Sequence, residues 1–206
     1  NEEAQPTSGV AFSLGWLILI LVLAAFFRLW QLTSLPADCI DIECSRALAL
    51  LKGNADASWY NSIAHLFLTW TGDSLLSLRL TSALLGIATI PAFYLAALEL
   101  IGAGGALLAT LLLAFSPWHI WSSRSSEVWV VLPLLLCLAI WAILRAQRTA
   151  DRRFWVIAGL GLGLAINLLP AQQIAVWIWI LLVTVIATLQ NPKAKFQKLL
   201  FLFAAL

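Results

Sequence analysis

The strongest constraint on this chain is a series of apolar runs that no soluble fold could hide. Residues 10–30 form the first, with nothing ionisable before Arg28. A bilayer's hydrocarbon core needs about 20 such residues in a helix. Arg28 and Trp30 sit at its end, where a snorkelling cation and an interfacial aromatic belong. Further runs follow at about 78–101, 103–115, 128–144, 154–169 and 174–189. They are separated by Gly102, Ser116-Pro117, Pro170 and Asn191-Pro192, residues that end or kink helices. The run at 103–115 is short, and a last one, 199–206, stops with the chain.

Composition agrees. The chain is 62% hydrophobic and only 11% charged over 206 residues, with a mean hydropathy of +0.95. Soluble domains are nearer half apolar and a quarter charged. The expected fold is therefore all-α and polytopic, with about six complete spans and the start of a seventh. It forms one transmembrane module over 1–206, interrupted by one long loop, 31–77. With no methionine in the row and an end inside an apolar run, more protein is expected beyond Leu206. The first run is of spanning length and lacks a cleavage site, so it is not read as a signal peptide.

The net charge of +2 gives no reason to expect a nucleic-acid partner; membrane lipids are the partners implied. The placement of charge carries more information. Arg145, Arg148, Arg152 and Arg153 crowd one short loop, and Lys193, Lys195 and Lys198 another. Both should be cytoplasmic. Counting back puts the amino terminus inside and loops 31–77 and 116–127 outside. The long loop is acidic, with Asp38, Asp41, Glu43, Asp56 and Asp73 against Arg46 and Lys52.

That loop has helical periodicity. Cys44, Ala47, Leu48 and Leu51 recur at i, i+3, i+4 and i+7, with Asp41 placed as an N-cap and Gly53-Asn54 as a stop. A second helix is expected over about 58–71, with Trp59, Ile63, Phe67 and Trp70 on one face and Gly72 at its end. Both are too short to span and should lie in the interface. Cys39 and Cys44 share the loop; a disulfide between them is open but is not the favoured reading. Cys137 lies in an apolar run as a small core residue.

Three polar sets converge on the outer side in this topology. They are Asp38, Asp41 and Glu43; His119, Arg124 and Glu127; and Gln172 and Gln173 with Asn167. A carboxylate can act as a general base or hold a divalent cation. Arg or His beside it can hold a phosphate. Plainer roles compete. Asp41 can simply cap a helix and Glu43 favour its dipole. Arg124 and Glu127 can form an i, i+3 pair. His119 can be interfacial, and Gln172 and Gln173 can be turn polarity. The eleven tryptophans fit an aromatic belt.

The stretch from Arg79 to Pro91, Tyr94, and Ser116-Pro117-Trp118-His119-Ile120-Trp121-Ser122-Ser123-Arg124 resemble the GT-C membrane glycosyltransferases. The nearest branch is the protein-mannosyltransferase-like (dolichyl-phosphate-mannose transferase) type. Leu35-Pro36 after Arg28-Leu29-Trp30, and the run 159–169 before Pro170, fit as well. The resemblance covers about residues 28–182. It implies an acidic catalytic motif in the first outer loop, and sugar transfer from a polyprenyl-phosphate carrier with inversion. It implies a divalent metal ion as cofactor in some members. It makes Glu43 or Asp41 the candidate catalytic base and places His119 and Arg124 at the donor phosphate; Gln172 and Gln173, from the third polar set, are further candidate substrate contacts. The relatives carry Asp-Glu-Ala where this chain, aligned without gaps from Leu35-Pro36, reads Ile42-Glu43-Cys44. Two functions follow: an active transferase of the bacterial inner membrane, or a GT-C-derived accessory subunit bound to other membrane subunits. A transporter is the least favoured class, because little charge lies along the spans.

Overall fold

In a computed structural model, residues 7–34, 41–53, 59–149 and 151–168 are described. The helices are α1 (Thr7–Leu29), α2 (Asp41–Leu51), α3 (Trp59–Thr71), α4 (Ser74–Ala114), α5 (Pro117–Arg124), α6 (Val131–Thr149) and α7 (Arg152–Leu168). A 3₁₀ turn, Val128–Val130, leads into α6. The described residues are helical, without strands. Two segments are long and apolar enough to cross a membrane, Ser74–Ala114 and Val128–Thr149, and Ser13–Leu29 is a shorter apolar helix. The expected runs at 174–189 and 199–206, like Gln172 and Gln173, lie outside the described residues.

α4 is a continuous assignment broken at Gly102, whose φ of 74° and ψ of 176° fall in a region essentially reserved for glycine. The chain doubles back there. Ala97 packs with Ala106, and Ile90 with Ala114. Each pair lies nearly symmetrically about Gly102, as the two arms of an antiparallel hairpin must. The alanines at the contact let the backbones approach closely. The breaks expected between the runs ending at 101 and beginning at 103 are thus one glycine hinge.

The loop helices form where their sequences predict. Gly53 and Gly72 close α2 and α3 with φ of 68° and 69°. Asp73 caps α4, its carboxylate accepting from the Leu75 and Leu76 amides at 2.8 and 3.1 Å. α2 and α3 bury Ala47, Leu50, Tyr60 and Ala64 against Leu78 of α4 and the α6–α7 pair. Between α6 and α7, Gly161 lies close to the Leu135 carbonyl and Ala139, again a small-residue contact.

Polarity is reversed relative to a soluble fold. Ser77, Thr81, Ser82, Thr89 and Thr110 are buried, while Leu112 and Trp118 are 66% and 81% exposed. The threonine hydroxyls cost little inside. Thr81, Thr89 and Thr110 donate to carbonyls four residues back, at 2.8, 2.9 and 2.6 Å. A surface of large apolar side chains around a core of small ones suits lipid as the solvent.

The bundle has two polar ends. At one, Glu99 meets Arg145 at 3.0 Å and Arg148 at 2.6 Å, beside the Gly102 hinge. At the other lie Arg28, Glu43, Arg79, His119 and Arg124. Arg79 and Glu99 are twenty positions apart on one helix, or about 30 Å. The basic loop and the long acidic loop therefore sit at opposite ends, as the charge pattern predicts.

α5 is the element hydropathy does not reveal, since residues 116–127 read as a loop. Pro117 at its first turn is a helix-start signal, but the segment is too polar to stand out as an apolar run. It lies directly on α4. A Cβ on Gly86 would come within 2.7 Å of the Ser123 Cβ and 3.5 Å of Val130. Gly86→Ala should destabilise the fold by about 1–3 kcal/mol, read as a lower unfolding midpoint in detergent. Adding Ser123→Gly should recover part of the loss; no recovery would mean that this contact does not position α5.

Candidate functional site

The polar end is built around a buried ion pair. Glu43 of α2 receives Arg79 of α4 in a two-pronged contact, Nε to Oε1 at 2.9 Å and Nη2 to Oε2 at 3.1 Å. The two side chains are 2% and 1% exposed. The remaining prong, Nη1, donates to the Leu32 carbonyl at 3.2 Å. The matching of guanidinium fork to carboxylate is the geometry that makes a desolvated pair tolerable. One arginine thereby ties α2, α4 and the chain leaving α1 together.

The end of α1 is held by two more arginines. A helix C-terminus leaves carbonyls without helical donors. Arg124 of α5 supplies them, donating to Phe27 O at 2.7 Å, Trp30 O at 2.8 Å and Gln31 O at 3.3 Å. Gln31 carries the left-handed φ of 50° with which the chain leaves the helix. Arg28 donates to Ala24 O at 3.0 Å and Ala114 O at 3.4 Å. It also lies 2.9 Å from Nδ1 of His119.

His119 is buried in α5. Burial, and secondarily the positive charge of Arg28, push its pKa down to about 4. The ring is therefore neutral near pH 7. Nδ1 accepts from Arg28, which leaves the proton on Nε2, and Nε2 has no hydrogen-bond partner. Ser123 steadies the α5 backbone through its bond to the His119 carbonyl.

Smaller contacts close the end. Arg46 of α2 donates to Ser126 O at 3.2 Å. The Tyr60 hydroxyl lies 3.2 Å from Leu78 O and 2.7 Å from the Ser82 hydroxyl, and burial pushes its pKa up to about 12. Trp30, Trp70, Trp118, Trp121 and Trp129 are exposed around this end, as an interfacial belt requires.

The fold thus gathers Glu43, His119 and Arg124 at one end and adds Arg28 and Arg79, which sequence reasoning did not assign to the site. Asp41 opens α2. Asp38, Gln172 and Gln173 lie outside the described residues, as does the side chain of Asn167. Cys44 is disulfide-bonded, against the favoured reading of the loop, and Cys137 is a free thiol. Among the described residues no three His, Cys, Asp or Glu side chains gather as metal ligands do. Glu43, with both oxygens on Arg79, is not available to a cation. The described donors do not fit a divalent ion.

These features define an all-helical membrane-type protein with one charged, tryptophan-ringed end. A family model for dolichyl-phosphate-mannose-protein mannosyltransferases matches residues 58–206, and the chain belongs to that family, in the GT-C protein-mannosyltransferase-like branch. No curated protein and no solved structure matches it. Arg79, His119 and Arg124 fall within the matched residues, and Asp41 and Glu43 precede them.

The depressed His119 pKa has a stability consequence. Folded, the ring takes a proton only near pH 4; unfolded, it does so near pH 6.5. Between those values the unfolded chain binds more protons, so stability falls as pH falls. The full loss is about 3 kcal/mol. Unfolding midpoints measured from pH 7 to pH 4 should show the decline, and His119→Gln should flatten it. An unchanged profile in that variant would show that His119 is not the group responsible.

Proposed function

We propose that this chain forms the donor-binding end of a membrane glycosyltransferase that moves a sugar from a polyprenyl-phosphate carrier to an acceptor. In this reading the charged end faces outward, and the basic 145–153 loop and the amino terminus lie in the cytoplasm of a bacterial inner membrane. The expected six spans and part of a seventh carry the carrier's tail in the bilayer.

The observation that carries the reading is the buried Glu43–Arg79 pair. It docks the acidic helix of the first loop on the same end of α4 that receives α5 and His119. Both oxygens of Glu43 are held by Arg79, so neither is turned toward a substrate. Glu43 therefore serves as a positioning residue, and the base is assigned to Asp41, which opens the same helix. The acceptor hydroxyl attacks the anomeric carbon as Asp41 takes its proton. The bond from that carbon to the carrier phosphate breaks, and the phosphate leaves as an oxyanion. His119, with Arg124 and the Gln172–Gln173 pair, supplies donors to the carrier headgroup, where a leaving anion gains most from them.

One observation favours a second reading, a non-catalytic subunit of a larger membrane assembly. Aligned without gaps from Leu35-Pro36, the chain has Ile42 where the resemblance implies the catalytic Asp. A transfer assay separates the two, using a radiolabelled polyprenyl-phosphate sugar and membranes as acceptor source. The enzyme reading predicts that Asp41→Asn lowers transfer by about 10²–10⁴-fold with an unchanged unfolding midpoint, while Glu43→Gln lowers the midpoint itself. Wild-type transfer no greater than that of Asp41→Asn would sink the enzyme and leave the subunit.

A further inference from the structure

The end of the bundle beside the Gly102 hinge carries more positive charge than its described residues neutralise. Glu99 meets Arg145 at 3.0 Å and Arg148 at 2.6 Å, and Arg148 also donates to the Glu99 carbonyl at 2.6 Å. The two guanidinium-bearing side chains are nevertheless 47% and 61% exposed. Two residues beyond α6, Arg152 and Arg153 open α7 with exposed side chains. Neither guanidinium has a partner among the described residues. Asp151 is engaged at the helix start, its carboxylate accepting from the Arg153 amide at 3.0 Å. Four cations thus stand against two carboxylates here. Like charges this close along a helix repel, so the arrangement gains from an anion outside the protein.

The surroundings point to the kind of anion. Trp141 and Phe154 meet edge to face at 5.5 Å, packing α6 against the start of α7. Glu99 ties the end of α6 to the first arm of α4. The cations are therefore held on a fixed turn. Its borders are apolar: Leu100 and Ile101 follow Glu99 on α4, Val156 and Ile157 follow the arginines on α7, and all four are exposed. Cations bordering lipid-facing side chains lie at headgroup depth, where an anionic leaflet attracts them. An acidic protein segment in water would match the charge and leave the apolar border uncovered.

We propose that the α6–α7 turn is a docking surface for an anionic phospholipid, with Arg152 and Arg153 on its headgroup and the Glu99-held Arg145 and Arg148 beside them. The ligand is a bulk lipid of the bilayer rather than a substrate. The surface lies about 30 Å along α4 from Arg79, and the inference stands whether or not the protein transfers sugar.

Native mass spectrometry of the full chain, released from detergent, reads lipid binding directly. The protein is titrated with phosphatidylglycerol, phosphatidylcholine, glycerol phosphate or a hexaglutamate peptide. Phosphatidylglycerol should bind about tenfold or more tighter than phosphatidylcholine, as two unpaired cations at an anionic surface imply. Glycerol phosphate and hexaglutamate should bind no better than phosphatidylcholine. Arg152→Gln should weaken phosphatidylglycerol binding about fivefold, and adding Arg153→Gln about fivefold again. Lys52→Gln removes the same charge from an exposed position on the long loop and should leave binding unchanged. Equal losses in Lys52→Gln and Arg152→Gln would reduce the effect to net charge and overturn the surface. An undiminished affinity in the double variant, or equal affinity for phosphatidylcholine, would overturn it too. Tighter binding of hexaglutamate than of phosphatidylglycerol would make the turn a protein contact instead. The comparison of lipids on the wild type decides even if a variant folds poorly.

Discussion

The buried pairing of Glu43 with Arg79 is the interaction on which the polar end depends. Taking two charges out of water costs several kcal/mol each, and only close, two-pronged geometry offsets it. Removing either partner leaves the other charge stranded, so α2 cannot leave α4 without exposing or stranding an ion. The third prong on Leu32 O extends the same constraint to the chain leaving α1. A short amphipathic helix that would be marginal alone is thereby fixed against a membrane-embedded one.

α5 is held by a different device. Its seat on α4 exists because Gly86 has no side chain, and its far end reaches α1 through Arg124. Two helices from separate loops thus meet the ends of α1 and α4, one through charge and one through close backbone approach. The charged groups cluster where helix ends leave carbonyls unmet. A single geometry therefore satisfies the helix ends and collects cations at one depth. A phosphate carrier needs such a depth, since its headgroup cannot enter the hydrocarbon.

Much of this was legible in the sequence, where the requirement was local. Gly102, Gly53 and Gly72 act through backbone conformation; polar neighbours marked the breaks at Gly53 and Gly72, while Gly102 parted two apolar runs. Glu43, His119 and Arg124 stood out as polar groups in the two loops that face one end. Arg28 and Arg79 were harder. Arg28 has the position of a snorkelling cation, and only the arrival of Ala114 and His119 from 86 and 91 residues away turns it inward. Arg79 reads as the start of a span, with its partner 36 residues earlier. The usable signal was that a cation within an apolar run needs a partner. α5 escaped for the opposite reason: its helix depends on docking against α4 rather than on an apolar run.

The central claim is that Glu43 and Arg79 act as one unit that docks α2 on α4. The most direct measurement is a double-mutant cycle with Glu43→Gln and Arg79→Gln, followed by detergent-unfolding free energies of the four proteins. The account predicts that each single change costs about 3–5 kcal/mol. The double change should cost clearly less than the sum of the two, with a coupling of about 2–3 kcal/mol. Additive losses would contradict it, because two independent residues do not dock a helix as a pair.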